Sequence, residues 1–277
     1  MNRSIKGLFL SMLLVVLTGC QSHKVVTNTF NMAPKSNWPD QHRAVAMNSY
    51  LYAQMSNNTY GQAGDDYGRD GNDFILPPEY RVEHFGNKEF GFAYSIYKKS
   101  IQNALKKVIV AFRGTEGLTN FDDVWHGNVL ARQNPMAITL YQNIRSQLDE
   151  SGYGDIPIVL TGHSLGGALA IHVAINVDDN LSYYVFNSSP RFNKNSDEEK
   201  KGDERHSIVE TGEFLYSVRF PATEATQTYT PFNCEKNFKT FTSHNIEKLA
   251  TCLTMVAALN IPGLKVEMTK KQPAELL

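Results

Sequence analysis

The chain has 277 residues, of which 42% are hydrophobic and 20% are charged, and its formal net charge at pH 7 is −1. This apolar content is ample for the core of one large globular domain. The sequence has no basic run and no interleaving of basic with aromatic residues, which disfavours a nucleic-acid-binding protein. It also has no zinc-ligand spacing, phosphate loop or dinucleotide fingerprint, so we expect no metal and no cofactor.

The first segment of the chain has the pattern of a secretory signal. Two basic residues precede the apolar run GLFLSMLLVVL at residues 7–17. This run has the length of a signal peptide and is too short to span a membrane. The sequence Leu17-Thr18-Gly19-Cys20 then resembles the lipobox of bacterial lipoproteins. We therefore expect residues 1–19 to be a lipoprotein signal peptide; the alternative is a plain secretory signal in which the cysteine is incidental.

The lipoprotein resemblance implies that Cys20 is the first mature residue and carries lipid. Gln21 and Ser22 follow it, without the aspartate that retains such proteins in the inner membrane, so the resemblance implies a lipid-anchored protein of the bacterial outer membrane. Residues 20–39 are polar, contain two prolines and predict a tether. We expect residues 40–277 to form the folded domain.

The first part of that domain predicts a helix, a long loop and a hairpin. The helix covers residues 40–55, with an apolar face formed by Ala44, Met47, Leu51 and Met55. Residues 56–78 are rich in Asn, Gly and Asp and predict a loop, and residues 81–85 and 90–97 predict a hairpin.

Part of the long loop, DDYGRDGND at residues 65–73, invites comparison with a calcium-binding loop. It fails the EF-hand pattern, because the twelfth position counted from Asp66 is Pro77 rather than glutamate. We therefore expect no metal in this segment.

Two predicted buried strands, each followed by a predicted helix, come next in the chain. Residues 107–112 predict a buried strand that ends in Arg113-Gly114-Thr115, and residues 135–148 predict a helix. The apolar run IPIVL at residues 156–160 predicts a second buried strand, and ALAIHVAINV at residues 168–177 predicts a helix.

Between that second strand and its helix lies TGHSLGGALA, at residues 161–170, which contains the pattern G-x-S-x-G around Ser164. This is the sequence of a nucleophile elbow, a sharp turn that strains the serine backbone and leaves no room for side chains two residues to either side. The alternative is an ordinary glycine-rich turn in an α/β unit.

The remaining elements complete an alternation of strands and helices. We expect a strand at 181–186, a charged excursion at 190–205, a short strand at 207–210, a helical turn at 214–220 and a helix at 243–260. The apolar face of the last helix comprises Ile246, Leu249, Leu253, Val256 and Leu259. The alternation predicts an α/β fold whose mostly parallel central sheet has helices on both faces.

A serine nucleophile needs a base, an acid behind the base and donors for the oxyanion. In an α/β-hydrolase the order along the chain is serine, acid, histidine. Of the three later histidines, His172 lies in the elbow helix and His206 in the charged excursion. We favour His244, which follows most candidate acids; the alternative is a helix-entry histidine that bonds backbone or solvent.

The acid is expected at the end of a strand after residue 186. Glu213 follows the predicted strand 207–210 through a turn and is our first choice, and Glu224 and Glu210 are the alternatives. Each could instead be a solvated surface carboxylate. Asp178 and Asp179 end the elbow helix and suit a cap or surface role.

The elbow and the strand ending Phe112-Arg113-Gly114-Thr115 together resemble the class 3 lipase family of the α/β-hydrolase superfamily, whose members carry F-R-G-[ST] and later G-H-S-L-G-G-A-L-A. The resemblance implies an α/β-hydrolase fold and hydrolysis of acyl esters. It implies Ser164 as the nucleophile, Thr115 and Leu165 as oxyanion donors, and His244 as the base. The family usually has aspartate where this chain offers glutamate.

In several members of that family the segment after the threonine is a movable lid. Here residues 116–130 place four apolar side chains three to four residues apart, namely Leu118, Phe121, Trp125 and Val129. The resemblance therefore implies a lid, and the alternative is a fixed helix packed on the core.

Two further cysteines, Cys234 and Cys252, form an even pair in the oxidising compartment that the lipobox implies. We expect them to form a disulfide near His244; the alternative is two buried thiols.

These features lead to one hypothesis and two alternatives. The hypothesis is a lipid-anchored serine hydrolase that cleaves acyl esters of membrane-proximal lipid through an acyl-enzyme, as a lipase or phospholipase. The alternatives are an esterase or thioesterase for small soluble substrates, and a non-catalytic envelope lipoprotein that keeps the fold.

Overall fold

The computed structural model describes residues 25–26, 38–60, 73–87, 91–114, 128–190, 204–215, 227–234 and 243–269, with residues 25–26, 86–87 and 128–131 given by their backbone alone. The strands are β1 (Val25–Val26), β2 (Asp73–Phe74), β3 (Tyr80–Asn87), β4 (Phe92–Ile101), β5 (Ala104–Phe112), β6 (Ile158–His163), β7 (Ser182–Phe186), β8 (Arg205–Glu210), β9 (Thr228–Phe232) and β10 (Met268–Thr269). The helices are α1 (Asp40–Asn58), α2 (Asn128–Glu150), α3 (Leu165–Asn176) and α4 (Ile246–Ala258).

Seven strands form the central sheet in the order β3-β4-β5-β6-β7-β8-β9, so that neighbours in the sheet are also neighbours in the chain. The pairs β3–β4 and β4–β5 are antiparallel, and the strands from β5 to β9 are parallel. The predicted mostly parallel sheet and the predicted hairpin are both confirmed. Because parallel strands point the same way, the carboxyl ends of β5 to β9 meet at one edge of the sheet.

Helices cover both faces of the sheet, as the fold prediction requires. Alternate residues of β5 point to opposite faces: Val108 and Val110 pack with α2 and α3, whereas Ile109 and Ala111 pack with α1 and α4. All four are almost completely buried. The apolar run of β5 is continuous, rather than alternating, because both of its faces lie in a core.

The predicted apolar face of α1 is correct only at Met55, which is fully buried. Ala44 is exposed and Met47 and Leu51 are only half-buried, whereas the adjacent stripe of α1 that includes Val45, Ala46, Ser49 and Ala53 is buried. This stripe includes polar residues because the helix satisfies them internally or against α4. The Ser49 hydroxyl donates to the carbonyl of Val45, and Gln54 donates to Thr254.

The last helix corresponds better to its prediction. Ile246, Leu249, Leu253 and Val256 are buried, as predicted, but Leu259 lies just beyond the end of α4 and is exposed.

The predicted loop over 56–78 is wrong at its start and is interrupted by a short strand. Helix α1 continues to Asn58, and Asp73 and Phe74 form strand β2. The side-chain amide of Asn58 explains the connection, because it accepts from the N–H of Phe74 and donates to the carbonyl of Phe74, both at 2.8 Å. The middle of the loop, residues 61–72, and with it most of the acidic segment 65–73, lies outside the described residues.

Several other elements were missed or misplaced. Strand β9 was not predicted. It contains Pro231, which is tolerated there since β9 is an edge strand of the described sheet. Helix α2 begins at Asn128, seven residues before Pro135, which lies inside it. Prediction placed the start at Pro135 because proline favours the first helical turn.

A second, small sheet has the order β1-β10-β2. Its first strand, Val25–Val26, lies within the predicted tether. Arg205, predicted to end the charged excursion, begins β8, and most of that excursion, residues 191–203, lies outside the described residues. Phe214 and Leu215 form a turn, and the rest of the predicted helical turn lies outside them too. Among the helices described, none has the length and hydropathy of a membrane span.

Candidate active site

Ser164 lies at the carboxyl edge of the sheet, between the end of β6 and the start of α3. Its backbone has φ 57° and ψ −123°, a strained conformation for a residue with a side chain. The neighbouring strand holds this turn, because the Ser164 N–H donates to the carbonyl of Phe186 at 3.0 Å and its carbonyl accepts from the N–H of Ser189 at 2.9 Å. The Ser164 side chain does not cap helix α3. The strain therefore points to a functional turn rather than a helix cap.

The glycines of the elbow are required by close backbone packing. A Cβ on Gly162 would lie 2.4 Å from the carbonyl carbon of Gly166. A Cβ on Gly166 would lie 2.1 Å from the carbonyl oxygen of Phe112, at the end of β5. Real Cβ atoms do not approach backbone this closely, so each position accepts only glycine. The predicted strand–turn–helix geometry is thus present around Ser164.

Glu213 and His244, which are 31 residues apart in the chain, are in direct contact. The Nδ1 of His244 lies 2.8 Å from Oε2 of Glu213. The Glu213 side chain is completely buried and that of His244 is 11% exposed. The same carboxylate oxygen accepts from the N–H of Leu215 at 3.0 Å. Two donors therefore hold the Glu213 carboxylate in one orientation.

This contact indicates which nitrogen of His244 could serve as a base. An ionised carboxylate only accepts hydrogen bonds, so the proton of a neutral His244 lies on Nδ1 and the lone pair on Nε2. The ring packs 4.7 Å from the ring of His163, the residue before Ser164, and 4.7 Å from the ring of Phe214. The imidazole is thus brought to the elbow, between two aromatic rings.

The other candidate acids have different positions. Glu210 is buried and accepts from the N–H of Cys234 with both carboxylate oxygens, at 2.9 and 3.1 Å. Asp179 accepts from Tyr141 and lies 3.7 Å from Arg145, so it ties the end of α3 to α2. Glu224 lies outside the described residues.

The two other histidines after Ser164 lie in surroundings that suit a structural role. His172 is buried in α3 beside Asn176, at 3.2 Å. His206 is stacked on Tyr184, with ring centroids 4.9 Å apart. Burial lowers the pKa of both imidazoles below the usual value of 6.5. Both groups therefore favour the neutral form within the core.

Of the two predicted oxyanion donors, Leu165 lies within the described residues. Leu165 is buried and begins α3, so its backbone N–H belongs to the helix N-terminus, where N–H groups lack partners within the helix. Thr115 lies just outside the described residues, but the structure follows its strand as far as Gly114. A Cβ on Gly114 would lie 3.2 Å from Cβ of Ser164, so the end of this strand reaches the elbow.

Comparison with known proteins identifies the family. A family model described as "Phospholipase-like: Tle-like phospholipase domain" matches residues 52–212, more than half of the chain. The chain belongs to the Tle-like phospholipase domain family. This membership makes hydrolysis of lipid esters the class of reaction to consider at the site.

Solved structures similar to this Tle-like domain include two fungal lipases. The lipase from Rhizopus microsporus var. chinensis is 18% identical, with a TM-score of 0.48 over 67% of this chain and 75% of that one. Lipase II from Rhizopus niveus is 16% identical, with a TM-score of 0.44 over 63% of this chain and 75% of that one. No curated protein matches the sequence.

A disulfide joins the segment after β9 to helix α4, which follows His244. Cys234, two residues after β9, is bonded to Cys252 in α4, the helix that follows His244. The start of α4 is capped by Asn245, whose side chain accepts from the N–H of Lys248 at 3.0 Å. The disulfide and the cap both stabilise the segment that carries His244.

Sequence reasoning missed two residues of the Tle-like domain that lie at this site. Tyr60 follows α1, is buried, and its hydroxyl contacts both Gly114 and His163. His163 belongs to the elbow motif, but no role was predicted for its side chain. No sequence signal points to Tyr60, because its partners are 54 and 103 residues away in the chain.

The lid prediction is not tested by the structure. Residues 115–127 lie outside the described part of the chain, and Val129 is described only as backbone at the start of α2.

Proposed function

We propose that this protein is a serine phospholipase that hydrolyses acyl esters of membrane phospholipids through an acyl-enzyme. The observation that supports the proposal most is the buried Glu213–His244 contact, 2.8 Å long, with the imidazole packed against the elbow residue His163. Family membership supports a phospholipid as the substrate.

In the first step the hydroxyl oxygen of Ser164 attacks the ester carbonyl and Nε2 of His244 takes the hydroxyl proton. Glu213 stabilises the resulting imidazolium through Nδ1–H. The carbonyl oxygen becomes an oxyanion that receives hydrogen bonds from the backbone N–H of Leu165 and from Thr115. Collapse of the intermediate breaks the ester C–O bond, and His244 returns its proton to the leaving lysophospholipid oxygen.

In the second step water hydrolyses the acyl-enzyme. His244 takes a proton from water, the hydroxide adds to the acyl carbon, and the second oxyanion uses the same donors. Collapse then breaks the bond to Ser164, which recovers its proton from His244. The products are a lysophospholipid and a fatty acid, and the protein is unchanged.

The nucleophile is tested with a fluorophosphonate probe, which labels activated serines. We expect the wild type to be labelled and to release fatty acid from phosphatidylcholine vesicles. Ser164→Ala should lose both properties, and His244→Ala should lose turnover by about 10⁴-fold or more, with unchanged thermal unfolding as the folding control. An unlabelled wild type would support the non-catalytic alternative.

The substrate class is tested by comparing long-chain phosphatidylcholine with a short-chain p-nitrophenyl ester on the same preparation. A phospholipase should have the higher kcat/KM on the phospholipid. Equal or better kcat/KM on the short ester would instead support an esterase or thioesterase for small substrates.

We also propose that lipid on Cys20 anchors the protein at the bacterial outer membrane, where its site faces phospholipid. The support is the lipobox pattern before Cys20. Metabolic labelling with radioactive palmitate, followed by membrane fractionation, tests this proposal. Label should be present in the wild type and absent from Cys20→Ala, and recovery of the wild type in the soluble fraction would contradict it.

A further inference from the structure

We propose that Tyr60 is a positioning residue. It holds the strand end at Gly114, which leads to the predicted oxyanion donor Thr115, in its active geometry beside the elbow. This inference rests on the proposed serine hydrolase and extends it to a residue outside the elbow and the triad. Tyr60 lies at the end of α1 and is 3% exposed. One hydroxyl group there contacts both structural parts that flank Ser164.

The first contact is with the strand end that leads to Thr115. The backbone N–H of Gly114 donates to the hydroxyl of Tyr60 at 3.1 Å. This bond engages the Gly114 N–H, so it orients the Arg113–Gly114 peptide, which directly precedes the peptide leading to Thr115. A side chain on Gly114 would exclude the bond, since its Cβ would lie 2.4 Å from that hydroxyl.

The second contact is with the elbow itself. The Tyr60 hydroxyl lies 2.9 Å from Nδ1 of His163 and 3.4 Å from the His163 carbonyl. The hydroxyl donates to that carbonyl, and it shares a hydrogen bond with Nδ1 whose direction depends on the His163 tautomer. In either tautomer the hydroxyl ties the strand end at Gly114 to the elbow residue whose ring packs against His244.

Tyr60 is itself held rigidly, as a positioning residue must be. Its N–H donates to the carbonyl of Asn57 at 3.0 Å. Nearby in α1, the hydroxyl of Ser56 bonds that of Thr161 in β6 at 2.9 Å. The end of α1 is therefore tied to the strand that carries the elbow, and the Tyr60 hydroxyl bridges from that fixed point to Gly114.

The test is Tyr60→Phe, which keeps the buried ring and removes the hydroxyl. The matched control is Tyr97→Phe, because Tyr97 is also fully buried and its hydroxyl donates to an α1 carbonyl, that of Met55, at 3.1 Å. Both variants lose one buried tyrosine hydroxyl, but the Tyr97 hydroxyl bonds the backbone of α1 rather than Gly114 or His163. Thermal unfolding, kcat and KM on phosphatidylcholine, and the rate of fluorophosphonate labelling are measured for both.

We expect Tyr60→Phe to lower kcat and the labelling rate by about 10- to 100-fold, with KM within about two-fold, because oxyanion stabilisation acts in the transition state. Tyr97→Phe should keep kcat within about two-fold of the wild type. The two variants should lower the unfolding temperature by similar amounts. A kcat for Tyr60→Phe within two-fold of the wild type would overturn the inference, as would equal losses in both variants.

The proposed function can fail separately. A wild type that neither hydrolyses ester nor reacts with the probe overturns the proposed function and this inference together. An active wild type with a fully active Tyr60→Phe overturns this inference alone.

Discussion

Ser164, the strand before it and the helix after it come from one continuous stretch, β6 to α3, whereas Glu213 and His244 come from segments 31 residues apart. We call these the nucleophile side and the base side of the site. On the nucleophile side, backbone packs on backbone so closely that Gly162 and Gly166 leave no room for a Cβ. On the base side, polar side chains and one disulfide join separate elements. The nucleophile side is therefore held in place by steric packing, and the base side is held by specific bonds.

The largest effect is expected from a substitution that tests steric packing on the nucleophile side. In Gly166→Ala the new Cβ would lie 2.1 Å from the Phe112 carbonyl oxygen, so the turn has to move. We expect the free energy of unfolding to fall by about 3 kcal/mol or more and probe labelling to disappear. Chemical denaturation and labelling check this.

The control for that substitution is Gly152→Ala, at a glycine with φ 77° and no atom within 4 Å of the added Cβ. It should cost only about 1 kcal/mol, from the left-handed backbone, and leave turnover unchanged. Equal losses in the two variants would contradict the conclusion that close packing makes glycine necessary at position 166.

The next effect concerns the bond that defines the base side. Glu213→Gln replaces a carboxylate with an amide that does not stabilise an imidazolium, so kcat should fall by about 10²- to 10⁴-fold with little change in KM. The matched variant is Glu210→Gln, three residues earlier, whose carboxylate accepts from the Cys234 N–H instead. It should keep kcat within about ten-fold and lose stability.

Steady-state kinetics and thermal unfolding of both glutamine variants check this pair. A larger loss of kcat in Glu210→Gln would assign the acid role to the other glutamate and would separate the Glu213–His244 contact from catalysis.

A smaller effect is expected from the disulfide of the base side. Cys234 and Cys252 are 18 residues apart, and replacing both with serine should lower the free energy of unfolding by about 3 kcal/mol, the loop-closure contribution of such a bridge. Turnover at 25 °C should fall by less than about ten-fold, because the Glu213–His244 bond remains. Denaturation of the double variant and of reduced wild type should agree; wild-type stability in the double variant would contradict this role.

The smallest expected effect is a pH dependence of the free energy of unfolding. Its source on the nucleophile side is His172 in α3. Burial lowers its pKa below 6.5, so between pH 7 and pH 5 the unfolded chain binds a proton that the folded protein resists. The free energy of unfolding should therefore decrease as the pH falls through about 6.5. His172→Gln, which does not titrate, should reduce this dependence, and His206 should account for part of what remains because burial lowers its pKa too.

Denaturant titrations at pH 7, 6 and 5 measure that slope. A His172→Gln variant with the full wild-type slope would show that the His172 imidazole accepts a proton in the folded state as readily as in the unfolded chain.

Prediction from sequence succeeded where the relevant forces are local. The elbow could be predicted because one short stretch contains the strand, the glycines and the helix, and the sheet could be predicted because buried parallel strands are continuously apolar. Element ends were less predictable: α1 continues to Asn58 because that side chain bonds Phe74, a contact that no helical pattern contains. Strand β9 was missed; it contains Pro231, which suits an edge position, and edge positions are a property of the assembled sheet.

The sequence alone determined the fold class, the position of the elbow serine and a short set of candidate acids and histidines. The tertiary structure decided that Glu213 contacts His244, that Glu210 bonds the Cys234 backbone, and that Tyr60 joins Gly114 to His163. The physical reason is distance along the chain. Close packing within a turn constrains residue types at fixed spacing, whereas a hydrogen bond across 31 or 103 residues constrains no spacing at all.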